Sequence, residues 1–182
     1  MVGNRYIYST AICLIMNFKK LLIFGIILSM VFISYKIIST INLKKQIAEN
    51  IVTIPKFSFT TIQHSSFTKQ NIPDTLGTII IQLFSPDCEH CQYMAQSFVK
   101  NKEKLRNVEI IMVTPFGDSS SVEKFSHDYG LDSLSNVHLL LDTHDDFFKI
   151  FGSSLVPSFY VYKNNKLIKS IKGEIKIENL LN

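Results

Sequence analysis

TIIIQLFSPDCEHCQYMAQSF, Thr78 to Phe98, is the stretch that decides how this chain folds. Its first seven residues, Thr78 to Phe84, form an almost unbroken β-branched and aromatic run, the composition of a central strand buried on both faces. Pro86 stops the run. From Glu89 to about Leu105, charged residues and the apolar Met94, Ala95 and Phe98 recur at helical spacing. Cys88 and Cys91 stand where strand gives way to helix, with Glu89 and His90 between them.

Strand and helix signals continue on both sides. VEIIMV, Val108 to Val113, reads as a second buried strand ended by Pro115 and Gly117. Ser120 with Glu123 fits a capping box, and Val122, Phe125 and Tyr129 share a helical face until Gly130. NVHLLLD gives a third strand, and Asp145 to Phe151 a short helix stopped by Gly152. SFYVY and LIKSI, joined by KNNK, form a hairpin, and EIKIENLLN closes the chain as a short helix. Upstream, Phe57 and Phe59 alternate with polar neighbours as in a half-buried strand, and HSSFTKQNIPD reads as loop. The expected fold class is therefore α/β, a sandwich with a central mixed β-sheet flanked by helices. Right-handed crossovers put Cys88 and Cys91 at the C-terminal edge of a central strand, where open α/β sheets collect their sites.

The N-terminus has another character. Between Lys20 and Lys36 lie fifteen uncharged, mostly apolar residues, which span roughly 22 Å as a helix. Ile37 and Ile38 prolong the run, and Lys36 can snorkel to a membrane interface. The division expected is a tail over 1–20, a transmembrane or signal-anchor helix over 21–38, a linker or helical stalk over 39–54, and a domain over 55–182. The run is not followed by a small-residue cleavage site, and Ile12 precedes Cys13 where a lipoprotein signal wants a small residue, so an uncleaved anchor is favoured over a cleaved signal peptide. Met16 makes a more usual start than Met1, in which case Cys13 would not belong to the mature chain. Lysines flank the run on both sides, so the positive-inside rule does not orient it. Such N-terminal anchors usually leave the following domain outside the cytoplasm, where disulfides are tolerated.

With 182 residues, 14 Phe, 7 Tyr and no Trp, the chain can bury one sizeable core. Its net charge of +4 comes from scattered lysines rather than a basic stripe, which argues against a nucleic-acid partner. Three cysteines are too few for a disulfide scaffold. The pair itself admits several chemistries. Structural zinc wants four ligands, and neither His138 nor His144 has paired spacing to supply them. Copper delivery would use the two thiolates with His138. Inert core thiols fit poorly beside the polar Asp87, Glu89 and His90. Redox chemistry fits the spacing: residues three apart on a helix's first turn face the same way and close a disulfide with little backbone movement. In that reading Cys88, at the helix N-terminus, is the nucleophile and Cys91 the resolving thiol. Glu89 and His90 tune the pair in opposite senses, the carboxylate opposing the Cys88 thiolate and a protonated imidazole favouring it.

Taken with Val156-Pro157-Ser158-Phe159 before the hairpin, the FSPDCEHC element resembles the thioredoxin fold, and within it the membrane-anchored TlpA-like or ResA-like thiol-disulfide oxidoreductases of bacteria. The resemblance runs from about Pro55 to the C-terminus. It implies that Pro157 is cis and packs against the cysteine pair, and that Val156 offers backbone to an extended substrate peptide. It also implies disulfide exchange with protein substrates, no cofactor or metal, an electron donor in the membrane, and a single-pass protein of the cytoplasmic membrane whose domain faces the periplasm or cell exterior. A reductant serving cytochrome c maturation is the family's usual role. Departures are visible: Asp87 replaces the usual tryptophan, Glu89 and His90 the usual proline-containing interior, and Gln82 occupies the position of the buried acid found in thioredoxins. Peroxiredoxins share the fold, but Arg106 would be the arginine left to activate a peroxide.

Overall fold

The computed structural model describes residues 3–73 and 77–181, and the side chain of Cys13 lies outside the described part. The chain divides into residues 1–45 and residues 46–182. The first unit is helical from Gly3, as part of a helix α1 that runs Gly3–Asn50. From Lys20 onward this helix is long and apolar enough to cross a membrane, and its large side chains from Leu21 to Leu43 are exposed. A helix apolar all round needs an apolar solvent, as an anchor or a signal sequence does.

The second unit is a seven-stranded sheet in the order β2-β1-β5-β4-β3-β6-β7. The strands are β1 (Ser58–Thr61), β2 (Ser66–Thr68), β3 (Thr78–Leu83), β4 (Val108–Thr114), β5 (Val137–Leu141), β6 (Ser158–Lys163) and β7 (Lys166–Lys172). β3, β4 and β5 run parallel, while β6, β7, β1 and β2 join antiparallel, so the sheet is mixed. The continuous apolar runs of β3 and β4 occupy its centre because both of their faces are covered.

One face carries α2 (Glu89–Lys100), α3 (Ser119–Asp128) and α5 (Ile177–Leu181): Cys91, Met94, Phe98, Val122, Phe125 and Leu180 pack there on Ile80, Phe84, Met112 and Phe159. The other face carries α4 (Asp146–Phe151), whose Phe147 and Phe151 pack with Phe59, Ile81, Ile111 and Tyr160. Residues 46–54 belong to this second layer. Ile51 and Ile54 are buried in it, Val52 accepts a main-chain bond from Leu167 at 2.9 Å, and Thr53 bridges Lys166.

Three local expectations differ from the structure. α2 ends at Lys100 rather than near Leu105, because Asn101 bonds back to Ser97 and the chain breaks into turns. The cap of α3 is Asp118 with Ser121, not Ser120 with Glu123: the Asp118 carboxylate accepts from Ser121 N at 2.9 Å and the Ser121 hydroxyl accepts from Asp118 N at 2.9 Å. HSSFTKQNIPD is not all loop, since Phe67 pairs with Phe59 to form β2. The KNNK turn holds Asn164 and Asn165 at φ of 51° and 64°, the double left-handed geometry of a tight hairpin.

Candidate active site

Five residues after β3 ends, Cys88 is the N-cap of α2. Its own side chain makes no capping bond, and the N-cap position sets it at the positive end of the helix dipole. The turn is tied by Cys88 N to Ser85 O at 3.2 Å, by Cys91 N and Gln92 N to Cys88 O at 2.9 and 3.0 Å, and by the Gln92 amide to Pro86 O at 2.9 Å. Cys88 is half-buried, whereas Cys91, one turn in, is fully buried between helix and sheet. Burial pushes the Cys91 thiol well above its ordinary range; a bond from the Ser85 backbone opposes this, while hydrogen bonding and charge from the adjacent Cys88 reinforce it. Both cysteines are free thiols.

The opposite wall comes from the segment before β6. The Val156–Pro157 peptide is cis, Pro157 is buried, and the Val156 carbonyl faces the Cys88 sulfur at 3.9 Å. Ser158 and Ser153 bond each other at 2.9 Å behind this segment, and Ser158 also donates to Leu155 O at 2.6 Å. Cys88, Cys91, Val156 and Pro157 are thus brought together.

Of the two tuning residues, Glu89 stands exposed in the first turn, and His90 pairs through Nδ1 with the Glu174 carboxylate at 2.9 Å. Sequence reasoning missed Glu174, which lies 84 positions away and carries no motif. His138 is not brought to the cysteines. It packs on Phe67 and pairs with the buried Glu109, on the sheet face that carries α4. Arg106 is bonded to Glu103 at 2.6 Å just before β4 begins, at the edge opposite Cys88. Among the described residues, no three His, Cys, Asp or Glu side chains converge as a metal site would need. Gln82 alternates with Ile80 and Phe84 on the face that packs Cys91, and its buried amide has no protein hydrogen-bond partner.

Solved structures share this fold. A secreted disulfide oxidoreductase of Mycobacterium tuberculosis, homologous to DsbE of E. coli, aligns over 68% of this chain and 90% of its own at 16% identity and a TM-score of 0.57. StoA from Bacillus subtilis aligns over 71% of this chain and 96% of its own, at 17% identity and a TM-score of 0.52. The fold is thioredoxin-like. The thioredoxin-like domain is also similar to a peroxiredoxin-like protein from Aquifex aeolicus, at 14% identity and a TM-score of 0.57, over 71% of this chain and 82% of that one. No protein-family model and no curated sequence matches the chain. At such identities the likeness carries the fold, and the chemistry has to be argued from the cysteines.

Proposed function

We propose that this protein is a membrane-anchored thiol-disulfide oxidoreductase that exchanges disulfides with protein substrates through Cys88 and Cys91, acting as a reductant outside the cytoplasm. The observation that carries the reading is the unlike placement of two adjacent free thiols: Cys88 half-exposed at a helix N-cap facing the Val156 carbonyl, Cys91 buried one turn behind it. The Cys88 thiolate attacks one sulfur of a substrate disulfide, the substrate S–S bond breaks, and the departing sulfur leaves as a thiolate that takes up a proton. Cys91 then loses its proton and attacks the Cys88 sulfur, releasing the second substrate thiol and leaving a Cys88–Cys91 disulfide. Two electrons pass to the substrate, and a thiol donor in the membrane returns them.

Exposed Phe116 and Leu155 lie in the loops that follow β4 and precede β6, apolar surface suited to an unfolded polypeptide rather than a small polar thiol. Cysteine-bearing apocytochrome c is one substrate of that kind. The histidine that copper delivery would use, His138, is instead engaged with Glu109. Peroxide reduction would call on Arg106, which is bonded to Glu103 at the opposite edge of the sheet from Cys88.

The test is trapping. Cys91→Ser should accumulate a mixed disulfide between Cys88 and a substrate peptide, visible by mass under non-reducing conditions, and Cys88→Ser should not. A Cys88→Ser protein that still reduces the peptide disulfide would sink the mechanism.

A further inference from the structure

Three consecutive residues after β7 each reach a different part of the cleft. Gly173 N donates to Pro157 O at 2.8 Å, the Glu174 carboxylate holds His90 Nδ1 at 2.9 Å, and Ile175 N points at the Met94 sulfur at 3.5 Å. Pro157 belongs to one wall beside Cys88, and His90 and Met94 belong to α2, the other wall. Gly173, at φ +89°, gives the chain the left-handed bend that lets it cross from one to the other. Residues 173–175 are therefore a strap over both walls. Two of its three links are made by main-chain N–H groups. Glu174 supplies the side-chain link to α2.

We propose that Glu174 is a positioning residue for disulfide exchange: acting through His90, it holds the first turn of α2, and with it Cys88, at a fixed separation from the Val156–Pro157 backbone against which an extended substrate peptide lies. This rests on the exchange reading above. Glu174 takes no proton and no electron in the reaction. The bond that forms is from the Cys88 sulfur to a substrate sulfur and the bond that breaks is the substrate S–S, so Glu174 acts only on how often the two sulfurs meet in line. His90 and Glu174 are 67% and 50% exposed, so solvent screens the pair and its effect is a small factor. It is also a salt-sensitive one.

The experiment uses the full chain in detergent micelles, turned over by excess dithiothreitol as the electron source, with a fluorescent cysteine-disulfide peptide followed to saturation and the uncatalysed dithiothreitol rate subtracted. Glu174→Ala should raise KM about threefold at low ionic strength with kcat retained. His90→Ala should raise KM by the same factor whatever it does to kcat through the thiolate, the double variant should raise KM no further than either single one, and His90→Lys, which offers Glu174 a permanent cation, should keep KM near wild type. In molar salt the wild type should approach Glu174→Ala. An unchanged KM in Glu174→Ala, a loss confined to kcat, or additive effects in the double variant would overturn the inference while leaving the exchange reading intact. A wild-type protein that does not exchange would overturn the exchange reading itself.

Discussion

At the scale of single residues, the cysteine pair is built to be asymmetric. Cys91 has no exposed surface and burial holds its thiol protonated, so iodoacetamide should modify the reduced domain once, at Cys88, with Cys91 reacting only after denaturation. A second fast label in the folded protein would contradict this. The same shift ties stability to pH. Because folding raises the Cys91 value above its ordinary 9.0, that contribution is intact below 9 and is lost as pH rises beyond it, so the reduced protein should weaken in alkali more than a Cys91→Ala variant does. Gln82 is fully buried in the centre of the sheet, with neither amide atom bonded to protein. Removing its unpaired buried amide with Gln82→Leu should stabilise the protein by about 1 kcal/mol or more, measured by denaturant midpoint. A loss of stability would mean that the amide has a partner after all. The cysteines were legible in the sequence because they sit in a local pattern, whereas the cis proline at 157 and the place of Val156 followed from the family resemblance and not from the residues alone. Glu174 was not, because an ion pair between residues far apart in sequence leaves no periodicity or spacing to read.

At the scale of elements, the buried strands and the hairpin followed from composition, since β3 and β4 are apolar on both faces and Asn-Asn supplies its own turn. The cap of α3 did not. In a run of Asp118, Ser119, Ser120 and Ser121 several residues can cap, and the choice falls to Asp118 because Gly117 bends into the left-handed region just before it. Gly117 stands at φ +85°, and a Cβ there would lie 2.3 Å from the Ser121 hydroxyl, so Gly117→Ala should cost about 1 to 2 kcal/mol through backbone strain and also displace the cap. Bonds from the Ser121 backbone and hydroxyl hold the Asp118 carboxyl below its ordinary 3.8. Its contribution is therefore present above that value and fades as pH falls through the lower folded one. Asp118→Ala should lower the thermal midpoint at neutral pH, with the gap closing in acid; a gap independent of pH would assign the effect to something other than the charged cap. The short β2 escaped notice because three residues are too few to show alternation.

Across the whole molecule, a helix with exposed apolar side chains joins a chain whose last helical residues already belong to the domain. The run of apolar residues announced the first part plainly. Residues 46–54 look polar and linker-like because Ile47, Ile51 and Ile54, four and three apart, are diluted by glutamine, glutamate and asparagine; only the layer they pack into shows which face is used. Gly152 marks the same contact, since a Cβ there would press on Ile47 at 3.1 Å. If the domain lies outside the cytoplasm, a membrane-impermeant maleimide should label Cys88 in intact spheroplasts, and Cys88→Ser should abolish that label. Labelling only after lysis would place the domain inside. The central claim, a reversible two-electron exchange at Cys88 and Cys91, is met most directly by thiol alkylation of the full chain in detergent across a series of defined thiol buffers. A reductant should show one reversible transition with a potential near or below about −270 mV, lost in either cysteine variant; a value near −120 mV would make the protein an oxidant, and the absence of any reversible disulfide would contradict the exchange chemistry altogether.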